Sequence, residues 1–279
     1  MLTYRFMQIA FAVAILLGIS LPLVGSTAVY KRLSSSGDAL AHSSLAGVAI
    51  GLASGLSPLW MSVIACIVSF LFIEVMRKKF AKFSEIGVVI VLSGAIGIAG
   101  ILSRYTSASN FDSYLFGSIL LISNRELIIC SVLTLVIVLF SILFYPQIFS
   151  ILYSESESKV NRIPVTLLNF IMDLLLSITI AIGSKIVGSL VVSSLIVLPT
   201  ATALQFQKGY KTTMILSLIF SILSMTIGLT VSYYLDWKPG ATIVTLSVIL
   251  LILVFFIKWI TQFIERIKAK SQNRKRTGD

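Results

Sequence analysis

The chain has 279 residues, of which 57% are hydrophobic and 12% charged, and its mean hydropathy is +1.01. These values exclude a soluble domain, and repeated apolar runs of about 20 residues predict a polytopic all-α membrane protein. The formal net charge of +11 would indicate nucleic-acid binding only in a solvated basic domain, so we expect no nucleic-acid partner.

Nine apolar segments follow one another along the chain, and each is predicted to be a membrane helix. An eight-helix version, with one segment re-entrant or peripheral, is the alternative. The first segment lacks an A-x-A cleavage site, so we interpret it as a retained helix. Residues 1–265 are therefore predicted to form a transmembrane domain, and residues 266–279 a basic tail. The segments are approximately Phe6–Tyr30, Asp38–Ser54, Pro58–Met76, Ile86–Tyr105, Leu127–Phe144, Val165–Ile182, Ile186–Phe206, Thr212–Leu235 and Ala241–Ile260.

The distribution of basic residues predicts the orientation. With the N-terminus outside, 17 of the 22 lysine and arginine residues fall on the cytoplasmic side. Because positive charge concentrates in cytoplasmic loops, we expect a multi-pass plasma-membrane protein with a cytoplasmic C-terminus. The basic tail is then placed to touch anionic membrane lipid.

The second segment carries an acid and the only histidine of the chain. In a helix, Asp38 and His42 lie four residues apart on one face, and a carboxylate and an imidazole at that spacing can hold a divalent cation. A structural hydrogen bond between the two is the alternative. Each ionisable group inside a bilayer costs at least ~2.5 kcal/mol, which favours a functional role.

A stripe of small residues runs beside this pair. It consists of Ala39, Ser43, Gly47, Gly51 and Gly55, and small residues at every fourth position allow another helix to approach closely. Ser43 and Gly47 are also predicted to line the path of an ion that Asp38 and His42 bind.

The seventh segment is the rough counterpart of the second in the other half of the chain. Pro199 is expected to interrupt its hydrogen bonding, and Ser193, Ser194 and Thr200 are predicted to line the path. The intramembrane Asp173 is a further candidate, either facing the path or paired with a neighbouring helix.

Several polar features lie near segment ends. Glu74 is expected to pair with Arg77 at the membrane interface, and residues 110–122 are predicted to form a short surface helix. The loop Tyr153–Pro164 is either a solvated linker or a docking element for a soluble partner. Its candidate docking residues are Glu155, Glu157, Lys159, Arg162 and Pro164.

The chain lacks the common catalytic motifs. It contains no G-x-x-x-x-G-K-[ST] phosphate loop, no G-x-S-x-G and no H-E-x-x-H, so we do not expect an enzyme. A structural membrane scaffold is a further alternative, but it would not need Asp38 and His42.

The stretch G-D-A-L-A-H-S-S-L-A-G-V-A-I-G at residues 37–51 resembles the signature of a known family: the permease subunits of bacterial ATP-binding-cassette importers for zinc, manganese or iron. Three further stretches resemble the family in the same order, at residues 114–119, 187–203 and 239–244. Where family members usually carry an alanine and a glycine in the cytoplasmic loop, this chain has Ser158 and Arg162.

The resemblance implies an importer-permease bundle that works as a homodimer with two ATP-binding subunits and an extracellular metal-binding protein. It implies no permanently bound cofactor; the divalent metal is cargo, with Asp38 and His42 as ligands. The stretches at residues 43–47 and 114–118 look most like zinc-type members of Gram-positive bacteria. Zinc is therefore the first expectation, with manganese or iron as alternatives, and an ATP-independent secondary transporter is the rival mechanism.

Overall fold

The computed structural model describes residues 4–80, 84–104, 114–117 and 122–277, with the backbone alone at 84, 262 and 264–277. Eleven helices and no strand are found in these ranges. They are α1 (Arg5–Tyr30), α2 (Ser34–Ser54), α3 (Pro58–Lys79), α4 (Ser84–Ser103), α5 (Asn124–Leu143), α6 (Tyr145–Tyr153), α7 (Glu155–Val160), α8 (Val165–Val187), α9 (Ser189–Leu204), α10 (Tyr210–Leu235) and α11 (Pro239–Thr277). The prediction of an all-α polytopic membrane protein is confirmed.

Within the described ranges, seven helices are long and apolar enough to cross a membrane: α1, α3, α4, α5, α8, α10 and the first part of α11. The remaining two predicted segments also form helices. The 21-residue α2 is rich in glycine, serine and alanine, and the 16-residue α9 is apolar but short. The predicted number of eight or nine is met only when these two helices are counted.

The break between α8 and α9 lies at Gly188, whose φ is +102°. A Cβ at this position would lie 2.5 Å from the Gly117 nitrogen and from the Leu115 oxygen, so another segment passes too close for any side chain. Pro199, which was expected to break local hydrogen bonds, lies inside α9, and the helix continues past it to Leu204. The interruption is therefore displaced to the start of this helix.

The bundle is organised around α1 and α2. Helix α1 packs against α5, α8, α9 and α10, while α2 packs against α3, α4, α8 and α9. The small-residue stripe allows this close approach: a Cβ on Gly47 would lie 2.5 Å from the Met61 oxygen, and one on Gly51 2.8 Å from the Pro58 Cα. The predicted close contact of α2 with another helix is confirmed, and its partner is α3.

Polar contacts fasten the helix ends at both faces of the bundle. At one face, Lys31 after α1 donates to the Asn169 Oδ1 in α8, 2.9 Å away. At the opposite face, Lys185 near the end of α8 pairs with Glu126 near the start of α5. Helices α1 and α5 thus run antiparallel to α8. The predicted surface helix at residues 110–122 lies mostly outside the described residues, apart from one helical turn at 114–116.

Candidate functional site

Helix α2 exposes only two side chains along most of its length. From Ser36 to Ala49, every residue is buried except Asp38 and His42, which are partly exposed one turn apart. Because this stretch of the helix packs against α3, α4, α8 and α9, the carboxylate and the imidazole form its one partly exposed face. The structure thus brings the two predicted ligands to the same face.

Contacts between α2 and α3 show how deep in the bundle Asp38 and His42 lie. The Cys66 thiol donates to the Leu40 oxygen at 3.3 Å, and the Ser44 and Ser62 hydroxyls lie 2.8 Å apart. Leu40 sits between the two candidate ligands, and Cys66 lies near the middle of the spanning helix α3. Asp38 and His42 therefore lie at about mid-depth of the bundle, where an ionisable side chain is costly without a role.

Neither candidate ligand is engaged by the protein. No hydrogen bond or ion pair joins Asp38 or His42 to another residue in the described ranges, so the alternative of a structural hydrogen bond between them is not realised. The same part of the chain holds no group of three or more His, Cys, Asp or Glu side chains suited to a metal ion. One chain thus offers an incomplete set of one carboxylate and one imidazole.

Two predicted path-lining residues of α2, Ser43 and Gly47, are buried. The Ser43 hydroxyl is buried and donates to its own helix at the Ala39 oxygen, 2.9 Å away. Gly47 lies in the contact with Met61 and Ser62 of α3. Gly47 thus holds α2 against α3, and neither residue is exposed beside Asp38 and His42.

On α9, the predicted residues divide into two groups. Ser193 and Ser194 are partly exposed, and both hydroxyls donate to the Leu190 oxygen, at 3.2 and 3.0 Å. Thr200 is fully buried, and its hydroxyl has no hydrogen-bond partner in the described structure. Of the three predicted residues on α9, only the two serines are therefore partly exposed.

Asp173 belongs to an ion-pair cluster at one end of the bundle. Arg77 Nη1 lies 3.3 Å from Asp173 Oδ2 and 3.3 Å from Glu74 Oε2. The predicted pairing of Glu74 with Arg77 is confirmed, and it extends to α8. Asp173 is thus charge-compensated, in line with the second of the two roles considered for it. The cluster borders an open cleft of about 700 Å³ that also includes Lys31 and Glu155.

The cytoplasmic loop of the predicted topology forms the short helix α7. Ser154 caps its N-terminus by accepting from the Glu157 amide at 3.3 Å. At its C-terminus, the Ile163 and Arg162 amides donate to the Ser158 and Lys159 oxygens, the pattern of a Schellman motif. The loop is therefore an ordered element and not an extended linker, and Pro164 precedes the first residue of α8.

The two departures from the family pattern occupy special positions in α7. Ser158 is fully buried, so a small side chain is required there, as alanine would be. Arg162 has a φ of +59°, which glycine adopts without strain. The usual family residues would therefore fit both positions without rearrangement.

The surface around α7 is both apolar and charged. Tyr153, Val160 and Leu167 are 80%, 82% and 57% exposed, and Glu157 and Lys159 are exposed beside them. Large exposed apolar side chains rimmed by charges are typical of a protein-binding surface. We refer to these five residues as the α7 surface.

Two hydrogen bonds connect α7 to the segment just before α2. Sequence reasoning missed this link. Glu155 accepts from the Asn169 amide at 3.1 Å, and Asn169 accepts from Lys31 at 2.9 Å. Lys31 lies three residues before α2 begins at Ser34. Burial lowers the pKa of Lys31, while the nearby Asp173 and Glu155 carboxylates oppose that shift. The sequence signal that could have revealed this link is Asn169, the one amide side chain in the apolar helix α8.

Comparisons with known proteins agree over nearly the whole chain. Residues 3–258 match the ABC 3 transport family. A probable metal transport system membrane protein of Treponema pallidum is 39% identical over 255 residues, covering 91% of this chain and 96% of that protein. The high-affinity zinc uptake system membrane protein ZnuB of Buchnera aphidicola is 31% identical over 244 residues, covering 84% and 90%.

A manganese-system protein and a solved structure complete the comparison. The manganese transport system membrane protein MntC of Halalkalibacterium halodurans is 28% identical over 258 residues, covering 92% of this chain and 88% of that protein. A chain of the structure of PsaBC from Streptococcus pneumoniae in complex with Fab superposes with a TM-score of 0.80 at 24% identity, covering 91% and 92%. This last similarity shows a shared fold.

Proposed function

The chain belongs to the ABC 3 transport family, and from that premise we propose that it is the permease subunit of an ATP-driven importer of a divalent transition metal, zinc before manganese or iron. Relatives from systems named for metal, zinc and manganese transport support the cargo class. ATP hydrolysis is assigned to a separate subunit, because this sequence lacks a phosphate-binding loop. The observation that carries the proposal is the unengaged Asp38 and His42 pair in the otherwise buried stretch Ser36–Ala49 of α2.

The incomplete ligand set of one chain supports a dimer. A two-fold axis near the partly exposed face of α2 would bring two carboxylates and two imidazoles together. Four ligands of this kind suit the tetrahedral preference of zinc, and nitrogen with oxygen also suits manganese. Zinc comes first because imidazole nitrogen is among its preferred ligands, while carboxylate and water oxygens suit manganese better.

Each candidate ligand has a distinct physical role in this proposal. The Asp38 carboxylate compensates the charge of the cation at mid-depth of the membrane, where Coulomb attraction is weakly screened. The His42 imidazole replaces part of the hydration shell and favours borderline transition metals over calcium or magnesium. Two ligands per chain hold the ion tightly enough to dehydrate it and loosely enough to release it.

The α7 surface is the proposed docking site of the ATP-binding subunit. Its exposed Tyr153 and Val160 and its charges offer an apolar anchor with a polar rim. Movement of α7 would pull on Glu155, then on Asn169 and Lys31, and so reach the start of α2. Nucleotide binding in the ATP-binding subunit would in this way move the start of α2, the helix that carries Asp38 and His42. A secondary transporter would have no use for such a surface.

The remaining partners follow from topology. With α7 and the C-terminus on the cytoplasmic side, the face that carries Lys185 and Glu126 is extracellular. A metal-binding protein would deliver its ion there, at the opposite end of the bundle from the ATP-binding subunit. The family membership supports both partners as proposals for this chain.

The proposal is tested by metal uptake in cells that express matched amounts of membrane-inserted variants. We expect Asp38→Ala and His42→Ala each to abolish zinc uptake, and Asp38→Asn to fail as well, because a neutral amide loses most of the attraction to the cation. Ser54→Ala, at the exposed far end of the same helix, is the control and should transport normally. Near-normal uptake by Asp38→Ala or His42→Ala would contradict the ligand assignment.

A further inference from the structure

A groove opens on the membrane-facing side of the bundle, away from the candidate metal site. Its walls come from α1, α5 and α10, with Tyr145 of α6 at one end, and its volume is about 690 Å³. The metal helix α2 packs instead against α3, α4, α8 and α9. The groove is thus separate from Asp38 and His42 and from the α7 surface.

The chemistry of the groove changes along its length. Its polar lining residues, Ser141, Tyr145 and Lys211, all lie at the end where α5 finishes and α10 begins. Beyond them the lining is entirely aliphatic or Met, and on α10 it reaches Ile222. No carboxylate lines the groove, and Lys211 makes no ion pair in the described structure. One unpaired positive charge therefore stands at the mouth of an apolar slot.

The length of the slot matches one leaflet of a bilayer. From Lys211 to Ile222, α10 advances about 16 Å at 1.5 Å per residue. Half of a hydrocarbon core of about 30 Å is about 15 Å. Lys211, at the second residue of a spanning helix, stands where lipid headgroups begin. An acyl chain can thus fill the slot while its phosphate reaches the lysine.

We propose that this groove is a binding site for an anionic phospholipid of the leaflet on the α7 side, with one acyl chain between α1, α5 and α10 and the phosphate on Lys211. Basic positions at the cytoplasmic ends of membrane helices attract anionic headgroups in this way. The bound lipid fills a void that would otherwise separate α10 from α5. The proposal does not depend on which metal the protein carries.

The test measures lipid retained by the purified permease, using native mass spectrometry after exposure to phosphatidylglycerol or phosphatidylcholine. We expect phosphatidylglycerol to be retained in preference, and Lys211→Ala to weaken its binding about fivefold, the effect of one basic residue near a membrane surface. Lys208→Ala, an exposed lysine outside the groove lining, is the matched control and should bind normally.

A second pair of variants tests the acyl slot by itself. Ile215 lines the groove and is 45% exposed, whereas Ile219, one turn further along α10, is 47% exposed and does not line it. Ile215→Trp should displace both lipids, and Ile219→Trp neither. Equal retention by the two tryptophan variants, or equal loss in the two lysine variants, would overturn the proposal. So would a disulfide cross-link between two copies through Ile215→Cys, because the occupant would then be a second chain.

Discussion

The glycine at position 47 offers a sharp test of how α2 is held, because its environment can be compared with that of another helical glycine. In Gly47→Ala, the new Cβ would lie 2.5 Å from the Met61 oxygen and 2.7 Å from the Ser62 Cα, both backbone atoms. To restore an ordinary contact of 3.4 Å, α3 must retreat by about 0.9 Å. That movement would stretch the hydrogen bond of 2.8 Å between Ser44 and Ser62.

The magnitude follows from two opposing terms. Alanine favours a helix over glycine by about 1 kcal/mol, while overpacking a close contact costs ~1–3 kcal/mol. Gly97→Ala in α4 is the control, because its Cβ would meet nothing within 4 Å. This variant should therefore gain the helix-propensity contribution without any cost of overpacking. The two variants should therefore differ by about 1–3 kcal/mol, with Gly47→Ala the less stable.

The assay is thermal unfolding of the detergent-solubilised permease, followed by size-exclusion chromatography after heating. For a chain of this size, that difference corresponds to a gap in melting temperature of roughly 2–12 °C. Gly47→Leu should prevent recovery of folded protein. Equal melting temperatures for Gly47→Ala and Gly97→Ala would refute the assignment of this face to the α3 contact.

Three further predictions concern α7 and its links. Arg162→Gly should stabilise the permease by about 1 kcal/mol, because φ is +59° there. Lys159→Gly, inside α7, should instead lower the melting temperature. The opposite order of melting temperatures would contradict the Schellman assignment. Replacing Ser156–Lys159 by a Gly-Ser run of equal length should leave the permease folded but abolish co-purification of the ATP-binding subunit, and undiminished co-purification would place docking elsewhere. Asn169→Ala should reduce metal-stimulated ATP hydrolysis in liposomes while leaving binding of the ATP-binding subunit unchanged. The control is Asn161→Ala, which changes an exposed asparagine. Equal hydrolysis by the two variants would exclude the Glu155–Asn169–Lys31 link as the coupling route.

Much of the fold could be predicted because the bilayer imposes long apolar helices, and runs of that length are visible in the sequence. The candidate ligands were also visible, since an acid and an imidazole four residues apart in an apolar segment are costly. The break at Gly188 was misplaced because it depends on the Gly117 backbone, which approaches from a distant segment. The hydrogen bond from Lys31 to Asn169 joins residues 138 positions apart. No local sequence pattern predicts a contact over that separation. The small-residue stripe did predict the close helix contact of Gly47, whereas the second expectation for Gly47, that it lines an ion path, rested on its nearness to Asp38 and His42 in the sequence.

X-ray absorption spectroscopy of the zinc-loaded permease tests most directly whether Asp38 and His42 hold the transported metal. We expect a first shell of nitrogen and oxygen at about 2.0–2.1 Å with imidazole scattering, and loss of that scattering in His42→Ala. A sulfur-containing shell, or imidazole scattering that persists in His42→Ala, would contradict it, since His42 is the only histidine of the chain.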